Sequence, residues 1–249
     1  MVIGESIEQT DLGQSLPSKP DLIVCRHTLE HIYDPHKVIK KLMDAASGEA
    51  LFVFEFPNFD SLLTRGRFDQ VFHEHLQYFS LNSIKYLLDK CGAELIDVAC
   101  NYHNWGALIV VFRKKKKVVH ELVEQKMIFS EKEISQKIRL FKTQVKITTE
   151  TLLGFKESLV YGYGAALMLP TLAYHMKEDL SFLKAILDDD KEKDGLAYMD
   201  LPVKICWSGK VNNLDEATIF LTALENVKPI MTKLLAIRPK HIIYPLNII

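Results

Sequence analysis

The sequence predicts an α/β protein built from two units. Short continuous apolar runs, typical of buried parallel strands, alternate with helical patterns. This alternation occurs twice along the 249 residues, and a basic run followed by a long helical pattern separates the two series. We therefore expect α/β domains over residues 1–115 and 157–249, joined by a connector helix over 116–156.

The first half alternates strands with helices and ends in a hairpin. Apolar runs predict four strands, at 21–25, 50–56, 94–100 and 107–112. Helical patterns over 35–46 and 80–90 fall between them. Pro35 suits the first position of the earlier helix, while Ser80 is a good N-cap for the later one, which Gly92 ends.

The second half repeats the alternation and predicts a doubly wound sheet. Apolar runs predict strands at 158–161, 182–187, 203–207 and 241–244. One helix follows the first of these strands and ends at Lys177. A longer helix is expected over 215–236, where Pro229 would kink or split it.

The composition indicates which classes of binding partner and which cellular compartment to expect. The 31 basic and 32 acidic residues balance, so the charge favours neither nucleic acid nor a membrane surface. The basic run 113–117 lacks interleaved aromatics and is interpreted as a solvated boundary. The four scattered cysteines form no CxxC pair, which indicates a reducing, cytoplasmic location. Neither a bilayer-length apolar stretch nor a signal-peptide pattern is present.

The segment RGRFDQVFHEHLQYFS, residues 65–80, is the most informative part of the chain. It places His73, Glu74 and His75 in a row, and adjacent side chains point in different directions on any regular backbone. His75 has the chemistry to accept a proton near neutral pH, with Glu74 orienting or charge-balancing it. A surface loop with two histidines of no special role is the alternative.

A second polar segment follows the first predicted strand. His27-Thr-Leu-Glu30-His31 has the H-x-x-E-H order of inverted zinc peptidases, whose ligands share one helix face. A buried strand directly before the motif, and Asp34-Pro35 after it, argue against that helix. The position instead indicates a ligand-binding edge at the carboxyl ends of strands. The residues expected on this edge are Arg26, His27, His31, Glu55 and Asn58.

The turn at Gly162-Tyr-Gly164 is half of a phosphate-binding fingerprint. It follows a predicted strand and precedes a helix, but Leu167 stands at the third glycine position. The acidic run beginning at Asp188 lies near the distance expected of a ribose-binding carboxylate. A tight strand-to-helix turn requires glycine with or without a phosphate, so both interpretations stay open.

Together these segments resemble the sugar C-methyltransferases, S-adenosylmethionine-dependent enzymes that methylate a carbon of a nucleotide-linked keto-deoxysugar. The resemblance covers nearly the whole chain and rests on DLIVCRHTLEHIYDP, FDQVFHEHLQYFSLNSI, the hairpin ending Gly106-Ala107-Leu108, and the glycines and aspartates of the second half. It implies an incomplete class I methyltransferase Rossmann-like sheet followed by a smaller Rossmann-like α/β substrate-binding unit. It also implies S-adenosylmethionine as cofactor and a nucleotide-sugar as substrate.

The resemblance further implies roles for matching residues. His75 would be the base that removes a proton next to the sugar ketone, giving an enolate that attacks the sulfonium methyl. Glu74 would position that base or the substrate, and His31 would be a second polar contact near the reacting carbon. Cofactor contacts are expected from Arg26 and His27, and substrate contacts from Tyr78, Asn104, Gly162, Gly164 and Asp188.

The chain also departs from the family pattern. Family members carry a cysteine-rich zinc-binding segment, a glycine loop after their first strand and an acidic residue after their second, and this sequence has none of these. Phe72 replaces a tyrosine that often precedes His-Glu-His, and Leu169-Pro170-Thr171 replaces Gly-Asn-Thr. We therefore expect a truncated or split methyltransferase that by itself binds the cofactor weakly or not at all, and that associates with a separate N-terminal half or with itself.

Two other functions stay open at this point. The chain could be a non-catalytic nucleotide-sugar binding module that uses only its second unit. It could also be a zinc hydrolase built around His27 and His31. Neither the acceptor sugar nor the methylated carbon follows from the sequence.

Overall fold

The structure, a computed structural model, describes residues 2–102, 106–116, 129–224 and 227–246. The chain divides into two compact units: unit 1 holds Met1–Thr64 and His73–Ser130, and unit 2 holds Arg65–Phe72 and Glu131–Ile249. Each unit contains one β-sheet flanked by helices, so the predicted α/β class is confirmed. Within the described ranges, none of the helices combines the length and apolarity needed to cross a bilayer.

Unit 1 is built on a four-stranded mixed sheet. Its strands are β1 Leu22–Arg26, β2 Leu51–Phe56, β3 Ala93–Asn101 and β4 Ala107–Lys114. The spatial order is β1-β2-β4-β3; β1 and β2 are parallel, while β4 is antiparallel to both of its neighbours. Its helices are α1 Leu12–Ser15, α2 Pro35–Ala45, α3 Phe59–Arg65 and α4 Leu81–Lys90. The bounds of the strands and of the helices α2 and α4 follow the sequence prediction closely. The prediction that the first strand is buried is wrong, because β1 lies at the edge of the sheet and exposes Leu22 and Val24.

Aromatic side chains fill the core of unit 1. Phe52 and Phe112 lie opposite each other on β2 and β4 and stack with ring centroids 5.0 Å apart. Phe54 meets the same Phe112 ring edge-on at 4.9 Å, and all three side chains are fully buried. Offset and edge-on pairs of this kind add about 0.5–1.5 kcal/mol each to the burial of the rings. This packing fixes β2, whose carboxyl end carries part of the site.

The helices α2 and α4 begin where the sequence predicts, each directly after an N-capping residue. Asp34 accepts a hydrogen bond from the Lys37 N–H at 3.0 Å and so caps α2, with Pro35 in the first turn. Ser80 and Ser83 cap α4 reciprocally, each hydroxyl accepting the other residue's N–H. Caps of this type are worth about 1 kcal/mol each because they satisfy N–H groups that have no partner within the helix.

Unit 2 is built on a five-stranded, fully parallel sheet of order β7-β6-β5-β8-β9. The strands are β5 Val160–Tyr163, β6 Ile186–Asp188, β7 Ile205–Trp207, β8 Thr218–Leu221 and β9 His241–Ile243. The helices are α5 Glu131–Gly154, α6 Leu169–Met176 and α7 Val227–Ile237. Strand order reverses between β5 and β8, and ligands of open α/β sheets bind beyond the carboxyl ends of strands at such a point.

The predicted helix over 215–236 is wrong in its first part. Residues 218–221 form β8, a central strand whose four side chains are all buried, and the helix begins only at Val227. A short continuous apolar run fits either a buried strand or a buried helix segment, and here it directly precedes the helical pattern of α7. Pro229 lies in the first turn of α7, where a missing N–H breaks no helical hydrogen bond.

Two further details differ from the sequence prediction. The strand expected over 182–187 begins only at Ile186, because residues 181–185 form turns. Arg65–Phe72 belongs to unit 2, where the Phe68 ring packs 5.8 Å from Phe141 and a buried Arg67–Asp69 ion pair closes a short 3₁₀ turn.

Candidate active site

The candidate site of unit 1 lies where the parallel strands β1 and β2 end. His27, the first residue after β1, donates its backbone N–H to the Glu55 carbonyl at 2.8 Å, which ties the two strand ends together. The backbone of His27 is left-handed, with φ of 47°. This conformation bends the chain sharply away from the strand and leads it into a 3₁₀ turn over Leu29–His31.

Glu30 is the buried centre of this site. Its residue is 2% exposed, and its Oε2 has no hydrogen-bond partner. Oε1 lies 3.5 Å from His27 Nδ1 and 4.0 Å from His31 Nε2. Burial raises the pKa of Glu30, opposed by a backbone hydrogen bond and by the two histidines. A carboxyl group withdrawn from water among imidazoles is typical of functional sites.

His31 has a defined tautomer. Its Nδ1 lies 2.8 Å from the backbone carbonyl oxygen of Glu74. A carbonyl oxygen only accepts, so Nδ1 carries the hydrogen and donates it. In the neutral ring the lone pair therefore lies on Nε2, the nitrogen nearest Glu30. The same hydrogen bond fixes the loop that carries His75.

His75 lies beside His31. The two rings meet edge-on with centroids 5.0 Å apart, and His75 is half-buried. Burial, followed by the neighbouring His31, lowers the pKa of His75 to about 4, so the imidazole is neutral at pH 7. On its other side the Tyr78 ring lies 6.0 Å away, itself 5.8 Å from the Phe59 ring.

Glu55, near the carboxyl end of β2, contacts three side chains around the strand ends. The residue is 4% exposed and accepts hydrogen bonds from Arg26 Nε and, at 2.8 Å, from Asn101 Nδ2. Its Oε1 also lies 3.7 Å from His27 Nε2. Because these contacts satisfy the charge of Glu55, the group positions its neighbours along this edge.

The structure brings some of the predicted residues together and gives others a different setting. His31 and His75 meet, with Tyr78 alongside, whereas the Glu74 side chain is exposed and that residue contributes its backbone carbonyl. Arg26 pairs with Glu55, and His27 lies between Glu30 and Glu55. Asn58 caps α3 instead of joining the site, since its Oδ1 accepts from the N–H groups of residues 60 and 61. Asn104 lies outside the described residues.

The remaining predicted residues lie in unit 2, at the carboxyl end of β5. Gly164 has φ of +99°, and a Cβ there would lie 2.2 Å from the Ala223 Cβ, so this position requires glycine. Asp188 accepts a hydrogen bond from the Ala165 N–H at 2.7 Å and so closes the turn. A Cβ at Gly162 would lie 3.1 Å from Thr222 Cγ2, a tight contact that the threonine methyl would have to relieve by a small shift.

A polar network that sequence reasoning missed lies beside this turn. Asp189 Oδ1 accepts from Tyr163 OH at 2.8 Å, from Ser208 Oγ at 2.6 Å and from Lys233 Nζ. The Lys191 ammonium lies 4.2 Å from the centre of the Trp207 ring. The run Asp188–Asp190 after a strand was the available signal, but its partners come from β5, from the turn after β7 and from α7, and only the fold brings them close.

The H-x-x-E-H segment does not form the helix face that an inverted zinc peptidase uses. His27 directly follows β1, and Glu30 and His31 lie on a 3₁₀ turn. The sequence therefore indicated the segment that lies at this strand end, but it missed the burial of Glu30 and the contact of Asn101 with Glu55.

Comparison with known proteins points to methyltransferases. Residues 5–98 match the sequence model of a family described as a methyltransferase domain. A C-methyltransferase of Streptomyces niveus, NovU, is 35% identical over 102 residues, which cover 41% of this chain and 24% of that protein. The chain thus matches about a quarter of the length of this curated relative. These matches support the methyltransferase character of unit 1.

The similarity to solved structures is low. An S-adenosylmethionine-dependent methyltransferase from Clostridium acetobutylicum gives a TM-score of 0.34 at 12% identity, covering 45% of this chain and 63% of that one. The structure of TnmH gives 0.33 at 18% identity, covering 42% and 33%. At these scores the likeness carries no argument about function.

The described residues of unit 1 do not complete a site for S-adenosylmethionine. Neither parallel strand of that unit is followed by a glycine-rich turn within the described ranges: β1 leads into His27-Thr28 and β2 into Pro57-Asn58. Arg26, expected to contact the cofactor, is held by Glu55. His27 and Glu30 therefore represent an edge of such a site at most.

Proposed function

We propose that the chain is part of an S-adenosylmethionine-dependent C-methyltransferase that acts on a nucleotide-linked keto-sugar, with His75 as the base that forms the enolate. The proposal is carried by the pairing of the half-buried His75 with His31 at the end of β1 and β2. The methyltransferase-domain match and the similarity to C-methyltransferase NovU support it.

The environment of His75 suits proton abstraction in three ways. A neutral imidazole has a lone pair available at pH 7, and burial keeps this ring neutral. The loop that carries it is fixed by the His31–Glu74 hydrogen bond. The neighbouring Glu74 acts to raise the pKa of His75 and so favours the imidazolium formed on proton uptake, although burial and His31 outweigh it.

His31 would act on the substrate through Nε2. Its Nδ1 is committed to the Glu74 carbonyl, which leaves Nε2 to accept a hydrogen bond from a sugar hydroxyl or, when protonated, to donate to the enolate oxygen. Tyr78 lines the same loop and provides a phenol at the rim. The cofactor, when bound, supplies the methyl group on a sulfonium; this chain's residues hold and deprotonate the acceptor carbon.

Unit 2 is the proposed holder of the nucleotide-sugar. The carboxyl edge of its parallel sheet carries Gly162, Gly164 and Asp188 beside the point where strand order reverses. Lys191 and Lys193 follow β6 at that edge, and cationic side chains suit a diphosphate.

Hydrogen exchange at carbon tests the base role without the cofactor. The chain is incubated in D₂O with a panel of nucleoside-diphosphate-linked keto-deoxysugars, and deuterium at the carbon next to the ketone is followed by NMR. We expect enzyme-dependent exchange that the His75→Ala variant lowers by about 100-fold or more, since a general base contributes about 10²–10⁴. His73→Ala, a change in an exposed histidine on the same loop, is the matched control.

Binding without exchange would favour the alternative, a non-catalytic nucleotide-sugar module. Two observations favour that alternative: unit 2 has a five-stranded parallel sheet with a point of reversed strand order, and the described residues of unit 1 do not complete a cofactor site. Calorimetric titration with the same sugars separates the two: micromolar binding with no exchange in the wild type contradicts the methyltransferase proposal. Exchange that His75→Ala leaves unchanged contradicts the assignment of the base.

A further inference from the structure

We propose that Glu30, His31 and His75 bind a divalent transition-metal ion of the Zn²⁺ kind. The inference goes beyond the proposed function, although it concerns two of the same imidazoles. Each of the three residues offers one ligand atom, and these atoms all lie within 4.8 Å of one another. Zn²⁺ bonds of about 2.0–2.2 Å place tetrahedral ligands about 3.4 Å apart, so shifts of about 1 Å would close the site.

The orientation of His31 is that of a metal ligand. Histidines that bind metals generally donate their other ring N–H to a carbonyl or carboxylate, which fixes the tautomer. Here Nδ1–H donates to the Glu74 carbonyl at 2.8 Å. This leaves the Nε2 lone pair 4.0 Å from Glu30 Oε1, so with the ring neutral and Glu30 ionised two acceptors face each other. A cation between them would satisfy both.

The burial of Glu30 supports the metal site independently of the orientation of His31. The residue is 2% exposed, and its Oε2 is buried without a hydrogen-bond partner. Buried carboxylates are normally paired, hydrogen-bonded or bound to a metal, because an isolated buried charge is strongly unfavourable. The nearest basic groups to its other oxygen are imidazoles at 3.5 Å and 4.0 Å, longer than a strong charge-assisted hydrogen bond.

The donor set defines the class of ion. Two imidazole nitrogens and one carboxylate suit Zn²⁺, Fe²⁺, Co²⁺ or Ni²⁺, whereas Mg²⁺ and Ca²⁺ prefer an all-oxygen shell. Three protein ligands leave one tetrahedral position open for water or another ligand. The set differs from the H-x-x-E-H ligands, since His75 comes from a distant loop and His27 is not among the three.

Cobalt absorption tests the site directly. The chain is treated with EDTA, dialysed and titrated with Co²⁺ while visible d–d bands are followed; Zn²⁺ is then added to displace the ion. We expect about one Co²⁺ per chain, displaced by Zn²⁺ but not by Mg²⁺. His31→Ala and His75→Ala should each weaken binding at least tenfold, whereas His73→Ala should bind like the wild type.

Three results would overturn the metal site: no d–d bands with excess Co²⁺, equal affinity in the His31 and His73 variants, or a thiolate-to-cobalt band that assigns the ion to cysteine. If an alanine variant loses the wild-type circular dichroism, the corresponding glutamine variant takes its place. The titration contains neither sugar nor cofactor, so its outcome is independent of the deuterium exchange. If both proposals hold, Zn²⁺ should inhibit that exchange, because the ion occupies the lone pair of His75.

Discussion

Asp188 and Ala165 close the turn at the carboxyl end of β5, through a hydrogen bond of 2.7 Å from the Ala165 N–H to the Asp188 carboxylate. The same carboxylate accepts the Asp190 N–H at 2.9 Å and a hydrogen bond from Lys193 at 3.2 Å. The Ala165 N–H thus donates to a carboxylate, whereas in a phosphate-binding glycine turn such an N–H would donate to the phosphate. A bound phosphate would have to use the other side of this turn.

Replacement of Asp188 by alanine should destabilise unit 2. The variant leaves the N–H groups of Ala165 and Asp190 without their carboxylate, and hydrogen bonds to charged groups contribute about 1.5–3 kcal/mol each. We expect the free energy of unfolding to fall by about 2–4 kcal/mol. Urea unfolding in a Trp105→Phe background, where Trp207 alone reports, measures this. Asp200→Ala, at an exposed aspartate, should change it by less than about 0.5 kcal/mol; equal losses would refute the role of Asp188.

Gly164→Ala should be more damaging than a glycine-to-alanine change elsewhere. The position has φ of +99° and its new Cβ would lie 2.2 Å from the Ala223 Cβ. Strain and overpacking each contribute about 1–3 kcal/mol, so a loss of about 3 kcal/mol or more is expected. The matched control is Gly154→Ala at the end of α5, where a Cβ meets no atom within 4 Å. Comparable midpoints for the two variants in thermal unfolding would contradict the geometry of the turn.

Cys91 should resist thiol reagents. Burial raises its pKa to about 11, opposed in part by Lys40, so only about one thousandth of this thiol is ionised at pH 8. Cys100 is exposed on β3 and should be labelled first. Timed alkylation at pH 8 followed by peptide mass spectrometry gives both rates. Labelling of Cys91 as fast as Cys100 in the folded chain would show that the α4 C-terminus is open to solvent.

The hydrogen bonds of Asp189 should make the stability of the protein depend on pH in the acidic range. Burial acts to raise the pKa of Asp189, but hydrogen bonds from Lys233, Ser208 and Tyr163 outweigh it, so the pKa lies below its usual 3.8. A lowered carboxyl pKa gives stability that is fully present above the unfolded pKa and is lost as pH falls through the folded pKa.

Unfolding midpoints between pH 6 and pH 2 measure this dependence. Asp189→Asn should flatten the decline below about pH 4, whereas Asp200→Asn should keep the wild-type profile. Parallel profiles for the wild type and Asp189→Asn would mean that the network contributes nothing to folding.

The sequence was most informative where a residue pattern is local. The α2 and α4 boundaries followed from Pro35 and Ser80, and the hairpin of β3 and β4 followed from two apolar runs. The strand β8 was missed because its short apolar run directly precedes the helical pattern of α7, and periodicity alone does not separate a buried strand from a buried helix segment.

The site was predictable only as two segments. Residues 27–31 and 73–75 were each recognisable from titratable side chains beside a strand end or in an aromatic loop. Their meeting through the His31–Glu74 hydrogen bond depends on tertiary structure, as does the burial of Glu30. Asn101 shows the same limit, since an asparagine at the end of a hairpin strand has no feature that predicts its contact with Glu55.

The left-handed backbone of His27 limits which side chains this position can accept during evolution. Glycine, asparagine, aspartate and histidine tolerate that conformation, whereas valine, isoleucine and threonine do not. The backbone torsion angles at position 27 therefore limit which residue types can occur there, whatever the chemical role of the side chain. In a library of all substitutions at this position, the stability of each variant should depend first on how well the new residue tolerates a left-handed backbone and only second on its polarity.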